Sequence, residues 1–173
     1  MKLRLIQDIV TRWNSTYMML ESVFKAHSAI VSVIEQNKTW LKKYKSSLLD
    51  YKDLEIVEDL MDLLHPFLQI TRLASGSKYV TSSIILPAVT RLLEILQVYR
   101  SKNDNLFLEN FFVDMYNDLA NRSTVYFSNE ILKAASFMDP RYRSMSFIKD
   151  VETRDLYKSQ AQIYIKRVFS DRK

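Results

Sequence analysis

The sequence predicts an all-α protein, an irregular bundle of five or six helices. Apolar residues recur at three- and four-residue spacing along most of the 173 positions, the period of a helix with one buried face. Glycine appears once and proline three times, fewer than the turns of sheets and hairpins ordinarily use. Hydrophobic residues make up 47% of the chain, enough to build a core and too many for a disordered polymer.

Residues 3–9, Leu-Arg-Leu-Ile-Gln-Asp-Ile, alternate only in part. They read as a short strand or, with no partner strand in view, an extended lead-in that ends near residue 12. The first helix is expected from about Ser15 to Gln36, with Asn14 or Ser15 as its cap. Tyr17, Leu20, Phe24, His27, Val31 and Ile34 form one stripe, and Met19, Val23, Ala26, Ile30 and Val33 the next. Two adjacent stripes make a face wide enough to be buried on more than one side.

A basic connector, residues 37–47, separates this helix from a second over about Lys52 to Leu73, with Asp50 as cap. Leu54, Val57, Met61, Leu64 and Leu68 mark its inner face. Pro66 falls inside the pattern and is expected to kink or break it, because proline removes a backbone donor and crowds the preceding turn. Residues 74–78 hold the only glycine and read as a loop.

The third helix is expected from Thr81 or Ser82 to Arg100, with Ile85, Val89, Leu92, Leu93, Leu96 and Tyr99 inward and Pro87 in its first turns. After a polar break at Ser101 to Asn105, the fourth runs from about Leu106 to Asn121 with Phe111, Phe112, Met115 and Leu119 inward. The fifth, about Asn129 to Met138, ends at Asp139-Pro140, since the residue before proline avoids the helical region. The last spans about Val151 to Phe169, with Leu156, Ile163 and Val168 inward, in a basic C-terminal segment, residues 150–173. Residues 1–173 are thus read as one helical domain, or a piece of a larger one.

Composition narrows the function classes. With no cysteine, disulfide scaffolds and thiolate zinc sites are excluded. No secretory signal is visible at the start, and the longest apolar run, Ile84 to Val89, is too short to span a bilayer. The chain reads as soluble and intracellular, with no membrane partner. The net charge of +5 is compatible with a nucleic-acid partner without demonstrating one.

Arg12-Trp13, just before the first helix, is the sharpest candidate site. A Trp there offers a flat face for an unstacked base, and Arg12 a hand for a flanking phosphate. The same Trp also reads as a hydrophobic wedge beneath the helix. Lys38, Trp40, Lys42, Lys43 and Lys45, with Tyr44 among them, interleave cations and aromatics as a backbone-tracking surface does. They equally suit a solvated connector with its rings turned inward. Glu58, Asp62 and His65 share a helical face, but acids near a helix start are favoured by the macrodipole, and no second Glu-x-x-His element accompanies them. No metal site is assigned. No phosphate loop, cysteine nucleophile or Ser-His-Asp spacing is present.

Thr11-Arg12-Trp13-Asn14-Ser15-Thr16-Tyr17 with Leu20, then Trp40, Leu64, Pro66, Phe67 and Thr71, then Leu86-Pro87, stand in a particular order. Ala134-Ala135-Ser136-Phe137-Met138 follow, running into Asp139-Pro140-Arg141-Tyr142-Arg143 and Phe147. In this order the pattern resembles hAT-superfamily DNA transposases, and most closely transposase-derived animal proteins of the zinc-finger BED type. The resemblance implies the all-helical insertion domain of an RNase H-like transposase, without its catalytic core. It implies a nuclear setting, a DNA partner, and a role for Trp13 in holding a flipped base beside a cleaved end.

The family's catalytic carboxylates lie outside the insertion and cannot be placed here, so no catalysis by the chain alone and no cofactor are expected. The implied function is auxiliary DNA contact through Arg12, Trp13 and the Lys38-to-Lys45 segment. The alternatives are a protein-interaction module with an exposed apolar face for a partner or for self-association, and a transposon relic with no selected function.

Overall fold

The computed structural model describes residues 4–76, 81–102 and 106–171. Among these every regular element is helical. The α-helices are α1 (Trp13–Gln36), α2 (Lys38–Tyr44), α3 (Tyr51–Ala74), α4 (Ser82–Lys102), α5 (Leu106–Ser128), α6 (Glu130–Met138) and α7 (Val151–Ser170), with a short 3-10 turn at Lys45–Ser47. The all-α expectation holds. The helix beyond the expected five or six is α2, which lies in the segment read as a connector. Asn37 makes it possible: its backbone is extended, and its side chain accepts from the N–H groups of Thr39 and Trp40, satisfying two orphan donors at a helix start. Of the expected loop at 74–78, Ser77 and Lys78 lie outside the described residues, as do residues 103–105 of the second polar break.

The chain divides into two compact units, residues 1–68 and 69–173. The division falls within α3, two residues beyond Pro66. Pro66 does not break the helix, which continues through it to Ala74.

In the first unit α1 and α3 run antiparallel. Tyr17, near the start of α1, shares a 3.1 Å hydrogen bond between its hydroxyl and His65 Nδ1. Ten residues further on, His27 Nε2 lies 3.1 Å from the carbonyl oxygen of Leu49, just ahead of α3. Tyr17, Ala26, Val57, Leu63 and Leu68 are buried. The start of α3 is held as expected, and doubly: Asp50 accepts from Asp53 N–H at 2.8 Å, and Asp53 accepts from Asp50 N–H at 2.9 Å, a reciprocal cap.

The second unit is built around α4. Its 82–101 stretch has the length and apolar composition of a membrane span, yet Ile84, Leu86, Val89, Leu92 and Leu96 are buried within the unit, where α4 packs on α5 and α6. That is also how the central helix of a globular bundle reads. α6 packs on α7 around Ala161, which has no exposed surface and lets the two backbones approach.

The inward assignments for α5 and α7 need correction. Phe112 is buried but Phe111 is 42% exposed, and Leu156 and Ile163 are exposed where an inner face was expected. The α7 seam is carried instead by Tyr157, Ala161 and Tyr164, continued by the expected Val168, at spacings of four, three and four. Tyr157 lies tilted against Phe127, 6.4 Å between ring centres, and beneath the Lys133 ammonium. A large ring that reaches two neighbours outcompetes the aliphatic stripe one position away.

Candidate functional site

The lead-in to α1 is tied down by a small polar knot. The Asp8 carboxylate accepts from Ser15 Oγ at 2.5 Å and from Thr16 Oγ1 at 3.0 Å. Ser15 Oγ in turn accepts from the Ile9 N–H at 2.7 Å. The carbonyl oxygens of Arg12 and Ile9 also lie within reach of that hydroxyl, at 2.6 and 3.0 Å, and its single proton can serve one acceptor at a time. Arg12 N–H donates to Ile9 O at 2.7 Å, closing a turn. Further upstream, Ile6 N–H donates to Ser22 Oγ at 3.0 Å. The hydroxyl of Ser15, chiefly, holds the Asp8 carboxyl below its ordinary range.

This corrects the expected cap. Arg12 occupies the N-cap position with extended backbone (φ −135°, ψ 95°) and no side-chain capping bond. Ser15, two residues inside the helix, reaches back to the lead-in instead, and α1 starts at Trp13.

The knot leaves Arg12 and Trp13 outside it. Arg12 is exposed and Trp13 is 40% exposed, so the ring is not a covered wedge. Both line an open groove of about 500 Å³ with Ile6, Ile9, Asn14 and Met18 among its other walls. Its one charged lining residue is Arg12. The side-chain oxygen of Asn14 is buried there without a hydrogen-bond partner in the protein, an acceptor that ordinarily finds one. The arrangement offers a half-open aromatic face, a cation beside it, and an apolar floor.

The second candidate cluster is α2. Lys38, Trp40, Lys42, Lys43, Tyr44 and Lys45 are all exposed, and only Leu41 is half-buried. Trp40 and Tyr44 are 45% and 39% exposed and, four residues apart, share a face. The Lys43 ammonium sits 5.0 Å from the centre of the Tyr44 ring. The rings are therefore not turned inward as a plain connector would have them.

The structure does not bring the two clusters together. Arg12 and Trp13 stand at the N-terminal end of α1 and α2 follows its C-terminal end. Twenty-four helical residues at about 1.5 Å each separate them by roughly 35 Å.

The trio Glu58, Asp62 and His65 gains nothing from the fold: His65 meets Tyr17, and no three His, Asp or Glu groups converge among the described residues. Asp139-Pro140-Arg141-Tyr142-Arg143 is a structural joint. Asp139 accepts from Arg141 Nε and Nη2 at 3.0 and 2.8 Å and from Ser83 Oγ at 2.7 Å, tying the end of α6 to the start of α4.

Comparison with known proteins supports the resemblance. Residues 1–62 match the family described as the ZBED1 RNase-like helical domain, a stretch that contains both candidate clusters. A putative AC transposase of Zea mays is 24% identical over 138 residues, 80% of this chain and 16% of that protein. The chain thus spans under a fifth of the length of this curated relative. No solved structure matches. The two matches bear out a relation to hAT-type transposases.

Proposed function

We propose that this hAT-transposase-related helical chain is an auxiliary DNA-contacting domain that does not cut DNA by itself, and that it acts in the nucleus. The observation that carries the reading is the placement of Trp13. The Asp8–Ser15 knot fixes the chain on either side of it and leaves the indole half-open beside Arg12. An unpaired base stacked on such a ring gains about 1–3 kcal/mol, and the adjacent guanidinium suits a phosphate. The α2 cluster supplies exposed cations and rings of the same character. That the curated relative is described as a transposase agrees with DNA as the partner.

The test is fluorescence-anisotropy titration of the chain with hairpin, flapped and plain duplex DNA over a salt series, with Trp13→Ala alongside. The expected result is a preference for unpaired bases, affinity that falls as salt rises, and loss of the preference in the variant. No binding by folded protein, or binding indifferent to salt, overturns the reading.

A second reading rests on α6 and α7. Ile131 and Met138 on α6, and Val151, Leu156 and Ile163 on α7, are each more than half exposed. Exposed aliphatics at seven-residue spacing on both helices favour a protein partner or self-association there. Concentration-dependent sedimentation of the chain, abolished by Leu156→Ser with Ile163→Ser, is the corresponding test.

A further inference from the structure

The two clusters are exposed, basic and aromatic, yet stand at opposite ends of one straight element. α1 contains neither Pro nor Gly across its 24 residues, so nothing in its sequence kinks it. Its span of roughly 35 Å equals about one turn of B-form DNA, about 34–36 Å.

The face of α1 between the clusters is low and nearly uncharged. Lys25, Ser28, Ala29, Ser32 and Gln36 are exposed and recur at three- and four-residue spacing, so they form one row. The row begins beside Met18, which lines the Trp13 groove, and ends at α2. Lys25 is neutralised by Glu21 at 2.7 Å, and the residues beyond it are small. Such a strip admits a phosphate backbone without gripping it. Residues 36–49 then hold four lysines and no acid.

We propose that α1 is a ruler: one DNA duplex lies along it, its unpaired end at Trp13 and Arg12 and its body, about one turn away, on the α2 lysines. This rests on the DNA-contact reading above and adds to it a partner geometry, a duplex of at least about ten base pairs carrying an unpaired end. Glu35 is the discordant group. It is exposed on the same row, has no ion-pair partner among the described residues, and faces the approaching backbone near α2.

The experiment uses stem-loop DNAs with the same unpaired tail and stems of about 6 or about 16 base pairs, roughly 20 and 54 Å at 3.4 Å per step. Each is titrated over a salt series with the unaltered chain, with Lys42→Ala/Lys43→Ala, and with Glu35→Gln. For the long stem, removing two phosphate contacts is expected to lower the log–log salt slope by about 2 and weaken binding, while Glu35→Gln tightens it. For the short stem both variants match the unaltered chain. Equal effects on both stems, or none on either, overturn the ruler and leave DNA contact at Trp13 standing. Absence of binding to either stem by folded protein overturns both.

Discussion

The hydroxyl of Ser83 donates to Asp139 Oδ2 at 2.7 Å, joining positions 56 residues apart. Ser136 Oγ donates in turn to the Ser83 carbonyl oxygen at 3.1 Å, so the first turn of α4 and the last of α6 are bolted twice. Arg141, together with Ser83, holds the Asp139 carboxyl far below its ordinary range. A carboxylate depressed in the folded state stabilises the fold above its unfolded value, 3.8, and loses that effect as pH falls toward the depressed value. Asp139→Asn is therefore expected to lower the melting temperature at pH 7, with the gap to the unaltered chain closing below about pH 4. Thermal melts from pH 2 to 7 check this. A gap unchanged with pH would assign the loss to geometry alone.

Lys133 is buried at 5% exposure and forms no ion pair among the described residues, with Glu130 acting on it only at longer range. Its ammonium donates to Gln160 Oε1 at 2.5 Å and lies 4.2 Å from the Tyr157 ring centre. Burial holds its pKa below the usual 10.5. The sign is opposite to that of a paired lysine: the folded state resists protonation, so its stability should rise as pH climbs through the depressed value toward 10.5. Lys133→Met keeps the stem and removes the charge. It is expected to fall within about 1 kcal/mol of the unaltered chain at pH 7, since replacing a buried charge by an apolar group is often neutral or better. It should also lack the alkaline rise. Urea melts at pH 7 and 9.5 compare them.

The helices were legible because period and punctuation agree: the Asp50 cap and the Asp139-Pro140 stop stand where chain patterns place them. What escaped is instructive. α2 was hidden because seven residues are too short for a period to declare itself, and its start depends on the Asn37 side chain. The α7 seam was hidden because burial there follows two tyrosines and an alanine, joined only by Val168, rather than Leu156 and Ile163. In the site, Arg12 and Trp13 were legible as residue types, but the knot that exposes them was not. Spacing does not reveal that Ser15 turns back to Asp8.

Leu156→Ser, at 53% exposure, is expected to change stability by no more than about 0.5 kcal/mol. Ala161→Leu, where no surface is exposed, forces α6 and α7 apart and should cost about 1–3 kcal/mol. Chemical denaturation of the two single variants decides which face of α7 is the seam. A large loss in Leu156→Ser would restore the aliphatic stripe as the inner face.

Trp13 separates packing from binding more sharply than any other position. A tryptophan wedged under a helix contributes a large buried area, and its truncation costs about 3–5 kcal/mol. At 40% exposure, with the lead-in fixed independently by Ser15 and Asp8, Trp13→Ala should cost well under that, about 1 kcal/mol. Its effect on DNA with unpaired bases should be much larger in proportion. Losing about 1–3 kcal/mol of stacking is a drop of roughly 5- to 150-fold in affinity. Trp13→Phe keeps an aromatic face and should retain most of it. Ser15→Ala provides the complementary case: Trp13 stays in the sequence but the knot that presents it is lost, so affinity should fall and residues 4–12 should become open to proteolysis while the helical signal persists. Measured together by denaturation, anisotropy and limited proteolysis, the three variants distinguish the roles. A destabilised Trp13→Ala with unaltered DNA affinity would return the ring to the core.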